Sequence, residues 1–299
     1  MPFTINNYPE TIDAGQSYYN EIFMNAMATM GDPKWNMIFN VSNTDMLTGY
    51  EVAMKDVGLF NPRTTSTIEE KTIDEDYTIP WSQTEYAASF KVQEKQWKAM
   101  PAKLKAAYPL QFASSLAWTI EDFAMGLFAS DAFSVVGPDG VVLCSNSHPV
   151  TGDTYDNLAT ASVSESEIAA GVAAGRQYLT PAGKVVGGVS FKYLLHGPSS
   201  TAAVHAALGE RLSGSSTAFN DYNYAGTQGI VPIEIPSITD SRWFLVAGPE
   251  YAGAPELQFQ MAPEFRSGVH EEETYRWGIA LVNMAKFYRD PRFCYGSTA

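Results

Sequence analysis

The sequence predicts an α+β fold. One long apolar-striped segment, residues 109–130, reads as a single helix. Short alternating strands crowd the chain before it, and two long ones, starting near Glu256 and Tyr275, close the chain after it. Between them helices and strands mix without the regular alternation of a doubly wound sheet. With 299 residues, 45% of them apolar and 13% aromatic, the chain can bury a sizeable core as one large domain or two smaller ones. The same aromatic content argues against disorder over most of the length.

The 19 Lys and Arg stand against 33 Asp and Glu, a formal net charge of -14. So acidic a surface repels phosphate backbones, which excludes a protein whose main surface grips nucleic acid. The first residues, Met1 to Tyr8, have neither the basic flank nor the apolar centre of a signal peptide. No window approaches the ~18 apolar residues of a membrane-spanning helix. Cys144 and Cys294 are too far apart for a disulfide framework or a zinc motif. The expectation is a soluble protein of a reducing cytoplasm, with a pairing of the two cysteines left open.

Residues 1–44 carry weak periodicity. Ile22, Phe23, Met24, Met27, Met30 and Trp35 suggest one helix, either an arm lying across something else or a plain N-terminal helix packed on the core. From Tyr50 to Ala88 the pattern is extended, with strands at 51–57, 65–73 and 77–86 and turn markers at Gly58 and Asn61-Pro62-Arg63. This stretch is dense in charge, at Glu69, Glu70, Lys71, Asp74, Glu75 and Asp76, and poor in apolar residues. A two-stranded excursion with so little to bury needs a partner surface. It reads as an assembly loop, with a solvated hairpin on a monomer as the alternative. Residues 90–100 alternate charges around Val92 and Trp97, and residues 101–108 read as a helical turn or two kinked by Pro109.

The long helix starts at Pro109, whose missing N–H costs nothing at a first helical position. Ala113, Leu116, Ala117, Ile120, Phe123, Ala124 and Leu127 recur at the spacing of one buried face, on a rod of roughly 33 Å. Phe112, Trp118 and Phe128 lie off that stripe, so a second side also needs a partner. Gly137-Pro138-Asp139-Gly140 marks a turn, residues 141–144 a short buried strand and residues 151–160 a loop. Ser164 caps a helix that runs to Leu179 with an acidic first turn. Residues 191–195 form a strand. Ser199 or Ser200 caps a helix over 201–212, with Ala202, Ala206, Leu208 and Leu212 inward. Residues 213–229 make a long loop, followed by strands at 230–235 and 243–247. On the first long strand Leu257, Phe259 and Met261 share a face. Beyond an acidic turn at Glu271-Glu272-Glu273, Trp277, Ile279, Leu281, Ala285 and Phe287 share another, interrupted by Asn283. This pair is expected beside the long helix, and the tail from Arg289 reads as a loop.

Motifs of chemistry are missing. Gly183-Lys184 is followed by Val185 where a phosphate loop needs Ser or Thr, no G-x-G-x-x-G follows a strand, and no G-x-S-x-G occurs. No catalytic, cofactor-binding or metal-ligating residue is therefore assigned. His148 pairs on paper with Asp153 or Asp156, but before Pro149 in a turn its expected task is a local hydrogen bond that fixes the loop. His196, His205 and His270 lack a second ligand at a recognised spacing. The sequon Asn40-Val41-Ser42 reads as chance without a secretory signal. Lys91, Lys95, Lys98, Lys103 and Lys105 read as a solvated or subunit-facing edge rather than a nucleic-acid groove.

The order of elements resembles the Hong Kong 97 fold of tailed-phage major capsid proteins: arm, β-excursion, long helix, compact α+β unit, two returning strands. Particular runs resemble the Mu-type major head subunit family. They are Asp139-Gly140 through Leu143, Ser147-His148-Pro149 and Asn157-Leu158; Leu194-Leu195-His196-Gly197-Pro198 before Ala202, Ala203 and Ala206; residues 240–245; Arg276 with Gly278; and Asp290-Pro291-Arg292. The resemblance implies a non-enzymatic virion shell protein without cofactor or membrane. It implies an N-terminal arm at 1–44 beneath a neighbour and an extended loop at 45–92 over the adjacent subunit. A peripheral domain would comprise 93–135 and 255–299, with its spine helix at about 109–130, and an axial domain 136–254. Copies would form hexamers and pentamers of an icosahedral shell that encloses double-stranded DNA without sequence-specific binding, assembled in the host bacterial cytoplasm. Implied partners are a separate scaffolding protein, a portal and an optional decoration protein. A charged scaffolding leader is expected to be separate or already removed. Lys55 and Lys71 lack the Asn and acid that a cross-linking lysine needs. An encapsulin-type nanocompartment shell and a motif-less α+β enzyme are the alternatives.

Overall fold

The computed structural model describes residues 8–29 (8–17 as backbone only), 33–56, 60, 70–185, 188–209, 223–269 and 274–299. The turn markers at 58 and 61–63, residues 65–69 of an expected strand, Met30, Leu212, residues 213–222 of the long loop, His270 and the acidic turn at 271–273 lie outside the described residues.

In chain order the elements are α1 (Tyr8–Thr29), α2 (Trp35–Ile38), β1 (Asn40–Asn43), β2 (Thr48–Met54), β3 (Glu75–Ser82) and β4 (Thr84–Gln93). They continue with α3 (Glu94–Ala99), α4 (Ala102–Gly126), β5 (His148–Val150), β6 (Asp153–Tyr155), β7 (Leu158–Ala159), α5 (Glu165–Gln177) and β8 (Phe191–His196). Last come α6 (Thr201–Leu208), β9 (Val231–Glu234), β10 (Trp243–Ala247), β11 (Glu256–Val269), β12 (Tyr275–Phe287) and β13 (Cys294–Ser297). A four-stranded sheet runs β1-β11-β12-β4 and a five-stranded one β7-β13-β10-β8-β9, with β2–β3 and β5–β6 as separate hairpins.

The main core joins both sheets through α4. Ala113, Leu116, Ile120, Ala124 and Leu127 are buried as expected, with Ala117 and Phe123 half-buried. The helix starts at Ala102 instead of Pro109, which lies buried in its interior. The ring there removes one N–H from the helical ladder, a local loss that packing of the apolar face on the sheet outweighs. After Gly126 the chain loosens into a π-turn, Leu127–Asp131, that brings Phe128 fully inside against Phe39, Phe244 and Phe293.

Several expectations are corrected. From residue 18 onward α1 packs on its own chain, Phe23 stacking on Phe265 at 5.5 Å and Tyr19 meeting Trp97 edge-on at 5.7 Å. Phe23 thus finds its core within the chain. β4 pairs with β12 from Thr84↔Met284 to Gln93↔Tyr275 and so belongs to the body's sheet. Residues 70–73 make no strand. Residues 141–144 make none either: Val142 alone bridges Val136, since the Leu143 carbonyl is taken by side chains. The 151–160 loop holds strands β6 and β7, β6 pairing back on β5.

Ser164 does cap α5, its Oγ accepting from the Glu167 N–H at 3.2 Å. α6 turns Val204 and Ala207 inward and leaves Ala202 and Ala206 exposed, and Ser200 gives no cap because a short 3-10 turn precedes it. On β12 the wholly buried face is Gly278, Ala280, Val282 and Met284, while Trp277, Ile279 and Leu281 are half-exposed. Apolar residues alternate on both faces of that strand, so periodicity alone cannot choose between them. The tail is no loop: β13 is fully buried between β10 and β7.

Candidate assembly surfaces and the network behind them

The β2–β3 hairpin is anchored at its base. Trp81 stacks on Phe287 at 6.3 Å, and Ile79 and Ala285 complete a small second core. Tyr77 donates to the Arg289 carbonyl at 2.6 Å, while the Arg289 guanidinium spans Glu51 on β2 and Glu256 on β11, at 3.3 and 2.6 Å. Met46, Leu47, Tyr50, Met54, Phe60 and Ile73 are all exposed, Phe60 to 80%. Large apolar side chains held out by a clamped stem are the composition of a surface that another chain covers.

The outer side of α4 makes a second such surface. Leu104, Leu110 and Trp118 are exposed, Trp118 to 70%. Of the three aromatic residues off the helix stripe, Phe128 and Phe112 find ring partners among the described residues and Trp118 does not. The lysine edge sits nearby, with Lys91, Lys95, Lys98 and Lys103 exposed and Lys105 half-buried. Lys91 lies over the Tyr275 ring at 4.7 Å and Lys98 is 3.7 Å from Glu94. Val135 and Val136 are exposed before the 137–140 turn. No motif marked the hairpin residues 46–54 or these valines; the available signal was apolar residues in a stretch too polar to make its own core.

Behind these surfaces the turn residues assemble one buried network. Gly140 donates its N–H to the Gly137 carbonyl at 3.1 Å and holds φ 87°, which favours glycine. Asp139 is thereby aimed inward, its Oδ2 2.6 Å from His148 Nδ1. Asn157 sits at the centre. Its Nδ2 donates to the carbonyls of Leu143, Cys294 and Pro291 at 2.9, 3.1 and 3.3 Å, and its Oδ1 accepts from the Ser145 N–H at 2.7 Å. His148 Nε2 faces only acceptors, Asn157 Oδ1 at 3.0 Å and the Leu143 carbonyl at 3.2 Å, and therefore donates. The ring stacks on Tyr155 at 4.8 Å. This is the local hydrogen bonding expected of His148, with Asp139 as partner in place of Asp153 or Asp156.

The arrangement is a staple, sealed from solvent: both His148 and Asn157 are fully buried. His196 is likewise buried, against the Gly197 carbonyl at 2.9 Å. Burial pushes the Tyr155 and Tyr178 hydroxyls far above their usual range. Among the described residues no group of His, Cys, Asp and Glu is placed to hold a metal ion, and no helix is long and apolar enough to cross a membrane.

A family model described as phage capsid protein matches residues 76–295. No curated protein matches the sequence. Among solved structures, the capsid of Ralstonia phage GP4 aligns with a TM-score of 0.57 at 11% identity, covering 89% of this chain and 88% of that one. The capsid of cyanophage P-SCSP1u gives 0.55 at 8% identity over the same shares, 89% and 88%. The SrpI encapsulin complex from Synechococcus elongatus PCC 7942 gives 0.54 at 9% identity, covering 87% and 84%.

Proposed function

The chain belongs to the phage capsid protein family, and from that premise we propose how its parts build a shell. It is a major head protein with the Hong Kong 97-like fold, a structural component of the virion that assembles with copies of itself, and not an enzyme. The encapsulin shares the fold; the family match favours the phage.

In our proposal residues 45–83 form the extended loop that lies over an adjacent subunit. The peripheral unit comprises α1, β1, β4, α4, β11 and β12, and the axial unit residues 136–254 with β13. The reading places β4 in the body and β13 in the axial sheet, because their strand partners lie there. Subunits then close into hexamers and pentamers by heterologous contacts. The shell encloses double-stranded DNA without sequence-specific contacts, as suits a chain of formal net charge -14. It is assembled in the host bacterial cytoplasm with a separate scaffolding protein, a portal and an optional decoration protein.

The observation that carries this reading is the clamped hairpin with its uncovered apolar side chains. Velocity sedimentation with negative-stain microscopy tests it, on the chain alone and with its genomic neighbours. Closed shells, or free hexamers and pentamers, are the expected result. A monomer under every condition would overturn it.

A further inference from the structure

We propose that Cys144 and Cys294 form a disulfide within the subunit in an oxidising medium, fastening the last strand to the segment behind the 137–140 turn. The two sulfurs lie 3.8 Å apart with both side chains buried. A disulfide needs about 2.05 Å, so closure asks for roughly 1.8 Å of combined movement.

The site is built from both sides. The Asn157 amide holds the carbonyl of Leu143, next to Cys144, and that of Cys294 itself. The Cys144 N–H donates to the Ala132 carbonyl at 3.1 Å, and Cys294 pairs with Val246 in β10. Gly296 supplies the space: a Cβ there would lie 2.6 Å from Cys144 Sγ, so glycine is what lets the sulfur sit against β13. The cysteines are 150 residues apart. A bond between them would cross-link parts of the chain otherwise held by packing and by the Asn157 amide, and closing a long loop constrains the unfolded chain most.

Burial sets the conditions of reaction. The thiolate is the nucleophile, and burial beside Cys144 drives the Cys294 thiol well above its usual range. Oxidation therefore runs through opening of the terminal strand. The Cys294 thiolate attacks a small-molecule disulfide and expels one thiolate. The Cys144 thiolate then attacks the Cys294 sulfur and expels the second, and the two cysteine protons end on the two small thiols released. Once β13 closes, the same burial shields the bond from reductant. For a head protein assembled with reduced thiols and released into an oxidising medium, the bond hardens the shell after release; that consequence rests on the assembly proposed above, the bond itself does not.

The test incubates the full-length protein with oxidised glutathione, with and without mild urea to open β13. The protein is then denatured without reductant in iodoacetamide and its intact mass measured. The expected product carries neither alkyl group nor glutathione, and melts about 5 °C or more above the dithiothreitol-treated protein. Cys144→Ser and Cys294→Ser should each block that product; the wild-type mass decides the matter even if either variant fails to fold. Two alkylated thiols after prolonged incubation in both conditions, or a disulfide-linked dimer, would overturn the proposal. Because the readout is the mass of one chain, it is independent of whether shells form.

Discussion

Asn157 is the residue on which most of the buried polar order depends. One amide serves three carbonyls and one N–H drawn from two parts of the chain, residues 143–145 and 291–294. Removing it strands the Ser145 N–H and leaves the Leu143 and Pro291 carbonyls to the His148 Nε2–H and the Cys294 N–H alone, and each unpaired buried group costs on the order of 1–3 kcal/mol. Asn157→Ala should therefore destabilise the subunit by about 3 kcal/mol or more, read as the drop in urea midpoint of unassembled protein. An unchanged midpoint would show that water or a rearranged backbone replaces the amide. At this scale the sequence was partly legible. The residue types Asp139, Gly140, His148 and Asn157 stood out as a group, yet their meeting depends on how residues 137–157 fold back on β13, which no spacing encodes.

At the scale of the element, α4 separates folding from assembly. Ile120 faces the main core with 2% exposure, and Ile120→Asp would bury an unpaired carboxylate there. Loss of soluble, helical protein is the expected outcome; a stable, assembling variant would mean the buried face is another one. Trp118 faces outward, so Trp118→Ala should leave subunit stability within about 0.5 kcal/mol while lowering the yield of shells. If both readouts stay unchanged, this face is not an interface. On the same helix, burial raises the Glu121 carboxyl above the usual 4.5, against a smaller opposing effect of the Trp35 and Lys34 backbone. A raised folded value means that the ionised form is the disfavoured one. Glu121 therefore adds stability as the pH falls through that range and loses it as the pH rises. Glu121→Gln should flatten this part of the pH dependence, measured as urea midpoints at neutral and mildly acidic pH.

Over the whole molecule, the hairpin's stem and the body form one unit, joined by Trp81 on Phe287 and by Arg289 between Glu51 and Glu256. Beyond that clamp Met54, Phe60 and Ile73 are exposed. Replacing residues 56–73 by a short turn should leave a soluble subunit of near-normal stability that forms no closed shells, seen by sedimentation and microscopy. Normal shells from that variant would remove the hairpin from the assembly contacts.

The sequence by itself determined the α+β class, the buried stripe of the long helix, the pair of long strands near the C-terminus, the cap of α5 and the lack of any catalytic motif. Each of these is a local property, written in residues within a turn or two of one another. Only the tertiary structure decided that Pro109 lies inside its helix, that the inner face of β12 is Gly278 to Met284, that the tail is a buried strand, and that Cys144 lies beside Cys294. Those outcomes rest on partners far away in the chain. A strand with apolar residues on both faces, or a short apolar tail, fits several partners equally well by local pattern. The free energy of the packed core selects one of them.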